Sequence, residues 1–304
     1  MRPKKTLIIG GGRLGHAIRH ALLQAHQSVE AWDIKAERRS SPLPFETLAH
    51  EAHIFFIAAP TKANRSIAQK LLPSLNSSDV VISFAKGLEA PSASRVDTIL
   101  REEIGKRAVY GFLTGPMLAA EIESGQPTFA ELALSQKSAF GGVERLLEKT
   151  SISLTYNSDL PGLVLASVFK NCYAVGLGMF DALGYGTNFK SALTVYILGE
   201  MENLLSKLGG KKETVWGRAG LGDMLTTGWG NLSYNYHTGK RIVNEHDTTF
   251  KSEGCEALRQ MKKFLGKKAK LTDFPVLAAI HSIVNDDHEP RKTFEKLLHH
   301  TLTR

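Results

Sequence analysis

Two places in this chain of 304 residues carry side chains or backbone whose pattern could do chemistry. Near the start, Gly10-Gly11-Gly12-Arg13-Leu14-Gly15 satisfies G-x-G-x-x-G, directly after the apolar run Thr6-Leu7-Ile8-Ile9 and before helical spacing over 14–25. Glycines in that setting permit a tight turn and let backbone N–H groups approach a pyrophosphate, whose charge a helix N-terminus favours. Asp33 ends the next apolar run, where an acid can accept hydrogen bonds from an adenosine ribose. A carboxylate there repels a 2′-phosphate, which favours NAD over NADP; Lys35, Arg38 and Arg39 close by keep NADP open. Taken singly, the pattern also suits an ordinary glycine-rich turn and Asp33 a solvated turn residue. The second place is Lys170, the only charge between Asp159 and Asp181 in an otherwise apolar, glycine-containing run. A lysine buried there needs a partner; a stem snorkelling from a helix face to water is the other reading.

The glycine turn needs a sheet behind it. Thr6–Ile9, Val29–Trp32, His53–Ala59 and Val80–Phe84 read as strands separated by helical patterns. Val109–Phe112, Ala130–Leu134 and Ile152–Tyr156 extend the count. Continuous apolar strands alternating with helices predict a parallel sheet covered on both faces. After Tyr156 the pattern changes. Asp159-Leu160-Pro161 is a helix start, and from there the text is helical to the end, apart from a glycine-rich loop over 217–230. The expected class is α/β: a Rossmann-type parallel-sheet domain over 1–155, followed by an all-helical domain over 156–304. The run from 159 to 181 is long enough to cross a bilayer, but Lys170-Asn171 at its middle makes it a buried core helix.

Composition narrows the class further. Hydrophobic residues at 42% and charged residues at 22% exclude a disordered, collagen-like or coiled-coil chain. Cys172 and Cys255 cannot build a disulfide framework and sit in no metal-ligand cluster, so a reducing, cytoplasmic setting is expected, with no metal. The basic start MRPKK is followed by only four apolar residues before the glycines, which is too short for a signal peptide. The net charge of +8 is spread over scattered pairs such as Lys211-Lys212 and Lys267-Lys268. That predicts solvated faces and attraction for small anions, not nucleic acid.

Further segments stand in a definite order. Ser83-Phe84-Ala85-Lys86-Gly87-Leu88-Glu89 follows a strand; Thr114-Gly115-Pro116-Met117-Leu118-Ala119 comes next, then Gly125-Gln126-Pro127-Thr128. Lys170-Asn171 is followed by Gly184-Tyr185-Gly186-Thr187-Asn188, then Gly220-Leu221-Gly222-Asp223-Met224-Leu225-Thr226-Thr227. Ser233-Tyr234-Asn235 and Ser252-Glu253-Gly254 complete the set. In order and spacing these resemble the NAD(P)-dependent sn-glycerol-3-phosphate dehydrogenase family, soluble bacterial type, over residues 6 to 285. The resemblance implies that Lys170 is the proton donor and acceptor, with Lys86 and Asp223 beside it in catalysis. It implies that Lys86, Gly115, Asn171, Asp223, Thr227, Ser233, Tyr234 and Asn235 line the substrate. Arg13, Leu14, Lys86, Ala119 and Glu253 would touch the cofactor, together with Gly10, Gly12, Gly15 and Asp33 from the reading above. It further implies a small phosphorylated substrate, no membrane insertion and a role in glycerol-3-phosphate metabolism and phospholipid biosynthesis; a homodimer stays open. Outside that motif set, Lys86 reads as a strand-end surface lysine and Asp223 as a turn residue.

The chemistry runs in the same direction. Reducing a ketone needs a hydride, a proton for the developing alkoxide, and positive charge to stabilise it. Burial and the like charge of Lys86 would lower the pKa of Lys170, while Asp223 would raise it and orient the ammonium. The departures concern the substrate. Where the family places an arginine on the substrate phosphate, this chain has Tyr234, with one hydroxyl and no charge. Met117 stands for a serine and Ile34 for an arginine, and the stretch after Asp33 is short. Lys240 and Arg241 are the nearest cations in sequence that could replace the lost arginine. Two other readings follow: a related dehydrogenase of another small hydroxy compound, or a dinucleotide-binding sensor without turnover. Keeping Lys86, Lys170 and Asp223 together speaks against the sensor, because binding alone requires no proton-transfer lysine.

Overall fold

Residues 5–228 and 233–299 are described by a computed structural model of the chain. Contacts divide it into two units. Unit 1 comprises Met1–Ala85 and Arg95–Leu163; unit 2 comprises Lys86–Ser94 and Val164–Arg304.

Unit 1 is built on a sheet. Its strands are β1 (Lys5–Ile9), β2 (Val29–Trp32), β3 (Ala52–Ile57) and β4 (Val80–Ser83), then β7 (Val109–Thr114), β8 (Thr128–Leu134) and β9 (Ile152–Tyr156). A two-stranded piece, β5 (Leu88–Glu89) and β6 (Ser94–Arg95), lies between β4 and β7 in the chain. The spatial order of the large sheet is β2-β1-β3-β4-β7-β8-β9. Side chains on both faces are covered, as the unbroken apolar runs require: Ile8, Phe56 and Ile82 on one face and Leu7, Phe55 and Val81 on the other are buried, each worth about 1.5–3 kcal/mol of hydrophobic stabilisation. Helices α1 (Arg13–Gln24), α2 (Phe45–Glu51), α3 (Asn64–Leu71), α4 (Val96–Ile104), α5 (Ala119–Glu123) and α6 (Phe140–Leu147) complete the unit.

The expected parallel sheet is corrected at its last two strands, β8 and β9, which run opposite to the other five. β8 runs antiparallel to β7, while the other neighbouring pairs of this sheet are parallel. The cause is the connection. The connection between β7 and β8 holds only the five-residue α5, about 8 Å long, and no helix that runs back along the length of the strand. The chain therefore re-enters the sheet from the edge it left, and the next strand must run backwards.

In unit 2 the rest of the chain is helical: α7 (Leu160–Ala182), α8 (Thr187–Leu208), α9 (Asp223–Gly228), α10 (Tyr234–Glu245), α11 (Glu253–Leu265), α12 (Pro275–Asp286) and α13 (Pro290–Leu297). Asp159 starts α7 as its sequence promised: its Oδ1 accepts the Gly162 N–H at 3.0 Å, a cap worth about 1 kcal/mol. The division between the units falls inside this helix. The apolar stretch of α7 that is long enough for a bilayer is wholly buried, so the protein's own packing accounts for its composition. α10 crosses α7 closely, since a Cβ at Gly239 would lie 1.9 Å from the Val175 carbonyl oxygen.

The predicted glycine-rich loop over 217–230 is also corrected. Arg218–Gly222 forms a single π-helical turn that feeds directly into α9. A Cβ at Gly220 would meet the Val215 carbonyl oxygen at 2.0 Å, so that glycine serves close backbone approach inside a wound segment. Single π-turns of this kind recur at functional sites. Trp229 and Gly230, the end of that loop, lie outside the described residues, as does most of the MRPKK start.

Candidate active site

The predicted cofactor residues of unit 1 gather at the carboxyl edge of the parallel strands. Gly10 follows β1 with φ of +112°, and a Cβ there would press on the Ala58 carbonyl at 2.5 Å. Only glycine meets both conditions. Gly15, in the first turn of α1, lets the helix rest on the Gly10 carbonyl oxygen, 1.9 Å from where a Cβ would stand. Gly12 is the N-cap of α1, and a Cβ there would meet nothing within 4 Å, which leaves open ground at the helix's amino end. That is the cradle a pyrophosphate needs, and the residues present fit a dinucleotide. Arg13 is exposed at the first helical position, and Leu14 packs against the sheet's core.

Asp33 follows β2 and is buried. Its Oδ2 accepts the Gly11 N–H at 2.7 Å and its Oδ1 the Lys35 N–H at 2.8 Å. The carboxylate thus braces the glycine turn, and each oxygen keeps a second lone pair for a ribose hydroxyl. Arg39 donates to the Asp33 carbonyl at 2.7 Å and stacks over Trp32, so its guanidinium is already engaged. Gly115, with φ of +138°, follows β7 at the same edge. Ala119 opens α5, which packs on α1. Met117, in the place of the expected serine, packs against the apolar core.

Unit 2 brings together the residues expected to be catalytic. Lys86 Nζ lies 2.6 Å from Asp223 Oδ2, and Lys170 Nζ lies 2.9 Å from the same oxygen. Lys170 and Asp223 are buried, the first on α7 and the second at the start of α9. Thr227, one turn on from Asp223, donates to the Asp223 carbonyl at 2.6 Å and lies 3.5 Å from Lys170 Nζ. An ammonium has three donors; two point to Asp223 and Thr227, which leaves one for a substrate oxygen. Burial is the largest influence on Lys170 and lowers its pKa; Asp223 raises it and Lys86 lowers it, for a value of about 8. Burial pushes the Asp223 carboxyl upward, but Lys170 and Lys86 outweigh it and hold it below the usual carboxylate range. Glu253, the first residue of α11, is raised by burial, with Lys86 and Lys170 opposing.

Asn171 has a part that the sequence did not disclose. Its Nδ2 donates to the Lys86 carbonyl at 3.0 Å and approaches Glu253 Oε2 at 3.5 Å. It therefore ties the segment carrying Lys86 to α7 and α11. Asn64 was missed as well: it accepts from the Ser83 hydroxyl at 2.7 Å, and Ser83 accepts the Ala85 N–H, which shapes the turn just before Lys86. Nothing local signals either contact.

Ser233 caps α10 by accepting the Tyr236 N–H, and Asn235 Oδ1 accepts the Gly254 N–H at 2.9 Å. Tyr234 is 60% exposed. The two cations nearest in sequence to Tyr234, Lys240 and Arg241, are committed elsewhere. Lys240 pairs with Asp181 at 2.7 Å beside a second contact from Lys190. Asp181 stands eleven residues from Lys170 on α7, about 16 Å along the axis, beyond the reach of a three-carbon substrate. Arg241 pairs with Glu245 at 2.7 Å and lies over the Phe250 ring. Among the described residues no group of three metal-ligating side chains occurs.

Two models of one family match this chain: the NAD-dependent glycerol-3-phosphate dehydrogenase C-terminus over residues 159–295 and the corresponding N-terminus over residues 44–140. The chain belongs to this family. Glycerol-3-phosphate dehydrogenase NAD(P)+ of Nitratidesulfovibrio vulgaris is 28% identical over 330 residues, covering 97% of this chain and 98% of the relative. The enzyme so named from Clostridium botulinum is 27% identical, with 97% of each chain covered. Among solved structures, the glycerol-3-phosphate dehydrogenase from Coxiella burnetii superposes with a TM-score of 0.86 at 25% identity, covering 97% of this chain and 99% of that one. The family's C-terminal match contains Lys170, Asp223 and Glu253; its N-terminal match contains Lys86 but begins after the glycine turn and Asp33.

Proposed function

We propose that this protein is an NAD-dependent glycerol-3-phosphate dehydrogenase, interconverting sn-glycerol 3-phosphate and dihydroxyacetone phosphate. The observation that carries the reading is the single Asp223 oxygen shared by Lys86 and Lys170. A purely structural ion pair needs one lysine; two on one buried carboxylate create a positive site with a proton to give. The nicotinamide, when bound, supplies or accepts the hydride. Lys170 donates its free N–H to the substrate oxygen and transfers that proton as the alcohol forms. Its lowered pKa places the proton near balance at neutral pH. Lys86 adds positive charge beside the developing alkoxide, and Asp223 holds both ammonium groups in place. Asn171 fixes the main chain from which Lys86 extends.

In this reading residues 1–155 form the cofactor-binding domain and 156–304 the substrate domain, with Lys86 supplied from the first to the chemistry of the second. Gly10, Gly12, Gly15 and Asp33 take the dinucleotide, with Arg13, Leu14, Ala119 and Glu253. Gly115, Ser233, Tyr234 and Asn235 belong to the substrate side. The partner is a small phosphorylated molecule, the setting is cytoplasmic, without nucleic acid or membrane insertion, and a homodimer is compatible with it.

Oxidation of NADH with dihydroxyacetone phosphate is the deciding assay, run beside unphosphorylated ketones and 2-oxo acids. Turnover on the phosphorylated substrate is expected. Activity confined to an unphosphorylated ketone would move the enzyme to another hydroxy compound, and intact NADH binding without any turnover would make it a sensor. NADH should bind at least tenfold more tightly than NADPH, about 1.4 kcal/mol, because Asp33 holds its charge at the ribose and Arg39 is turned to the main chain. Equal dissociation constants by fluorescence titration would refute that.

The exposed Tyr234 favours a modified substrate grip as the second reading. A charged hydrogen bond to phosphate contributes about 1.5–3 kcal/mol, or roughly ten- to a hundredfold in affinity. Tyr234→Arg should therefore lower the KM for dihydroxyacetone phosphate by about tenfold or more, with little change on an unphosphorylated ketone. A variant that gains nothing, or loses activity, means that the pocket around Tyr234 is built for a different ligand.

A further inference from the structure

Unit 1 contains a polar cavity at the opposite end of its sheet from the glycine turn. It measures about 140 Å³ and is lined by His53, Ser138, Gly142 and Arg145 together with the first residues of β3 and β4. The carboxyl edge with Gly10 is a strand's length away, roughly 20 Å.

Three features of this cavity are separately unusual. First, the parallel ladder between β1 and β3 skips His53: Lys5 pairs with Ala52 and Thr6 with Ile54. Bulges are rare in parallel pairs and re-aim the extra side chain. Second, His53 Nδ1 lies 3.0 Å from Oδ1 of Asp79, a carboxylate that is 1% exposed. The other Asp79 oxygen accepts the Asn76 N–H, so the acid is locked and orients the ring. Nε2 is then the nitrogen left to face a ligand. Third, the side chains of Arg145 and Ser138, which also line the cavity, make no hydrogen bond or ion pair among the described residues. At Gly142 a Cβ would meet nothing within 4 Å, so the missing side chain keeps the space open.

We propose that this cavity binds a small oxyanion of the phosphate class, either the free ion or the end group of a phosphomonoester. Arg145 supplies a forked charged donor and the Ser138 hydroxyl a further one, His53 Nε2 accepts from a protonated oxygen of the anion, and the volume takes a tetrahedral anion with its attached waters. The cavity lies at the far end of the sheet from the glycine turn, so the ligand is bound there without being transformed.

Calorimetric titration of the full-length protein at constant ionic strength tests this, with inorganic phosphate and methyl phosphate as separate probes. The catalytic-site variant Lys86→Ala should keep the binding event. Arg145→Ala should weaken it at least tenfold, and Gly142→Leu, which fills the cavity from a helical position with free space, should abolish it. Both changes fall on exposed or open positions, and unchanged melting temperatures check the fold. Tighter binding of methyl phosphate assigns the site to organic phosphates, and tighter binding of inorganic phosphate assigns it to the free ion. If wild type binds neither probe, or Arg145→Ala and Gly142→Leu bind as wild type does, the proposal is overturned.

Discussion

Replacing Lys170 with alanine is expected to lower kcat on the order of 10³-fold or more while leaving NADH affinity nearly unchanged. The change removes both the proton at the substrate oxygen and one charge beside the alkoxide. It does not orphan Asp223, whose Oδ2 still has Lys86 at 2.6 Å, so the fold should hold. The same lysine sets the pH dependence. With its pKa near 8, it is protonated below that value and neutral above it. Ketone reduction needs the proton and should fall as pH rises through about 8; alcohol oxidation needs the neutral amine and should rise through the same range. Steady-state rates in both directions, with NADH binding followed by fluorescence, measure all of this. A Lys170→Ala enzyme retaining over a tenth of wild-type turnover would remove Lys170 from the role of proton donor.

Asp223→Asn is the second large effect. The amide keeps the shape and loses the charge, leaving the buried Lys170 and the half-buried Lys86 facing each other without a counter-ion. Breaking a buried charge cluster in this way costs about 3–5 kcal/mol of stability. Because Asp223 raises the pKa of Lys170, its loss lets burial and Lys86 act unopposed, and the alkaline limb of ketone reduction should move to lower pH by about a unit or more. The rate at pH 8 should fall by about a hundredfold, since the donor is deprotonated and misoriented at once. Thermal melting and a pH–rate profile check the two halves separately. An unmoved alkaline limb would mean that Asp223 is only a structural partner and does not tune the proton.

Much of the molecule was readable along the chain. Val29–Trp32 and Ile152–Tyr156 pair over the residues their apolar runs marked, and the Asp159 cap starts α7 where it was expected. The glycine turn sits between β1 and α1, as its pattern required. Each of these is governed by interactions within a few residues: steric limits on φ, side-chain period and the orphan N–H groups of a helix start. Lys170 belongs with them in part, because a single charge in an apolar run is visible without any neighbour.

Its partners were not visible in that way. Lys86 and Asp223 are 137 residues apart and Lys86 and Asn171 are 85 apart, and only the motif order of a known family placed them together beforehand. Lys240 looked available for a phosphate until folding set it against Asp181, 59 residues away. The reversed β8 depended on how far a five-residue helix can reach, and the π-turn before Asp223 on how closely Gly220 approaches Val215. His53 and Asp79 drew no notice as residues, yet the bulge in β3 joins them at a cavity wall. Local pattern sets which element forms and which face it buries. Which charged groups then meet is settled by crossing angles, close backbone contacts and connection lengths, and those exist only once the elements have packed.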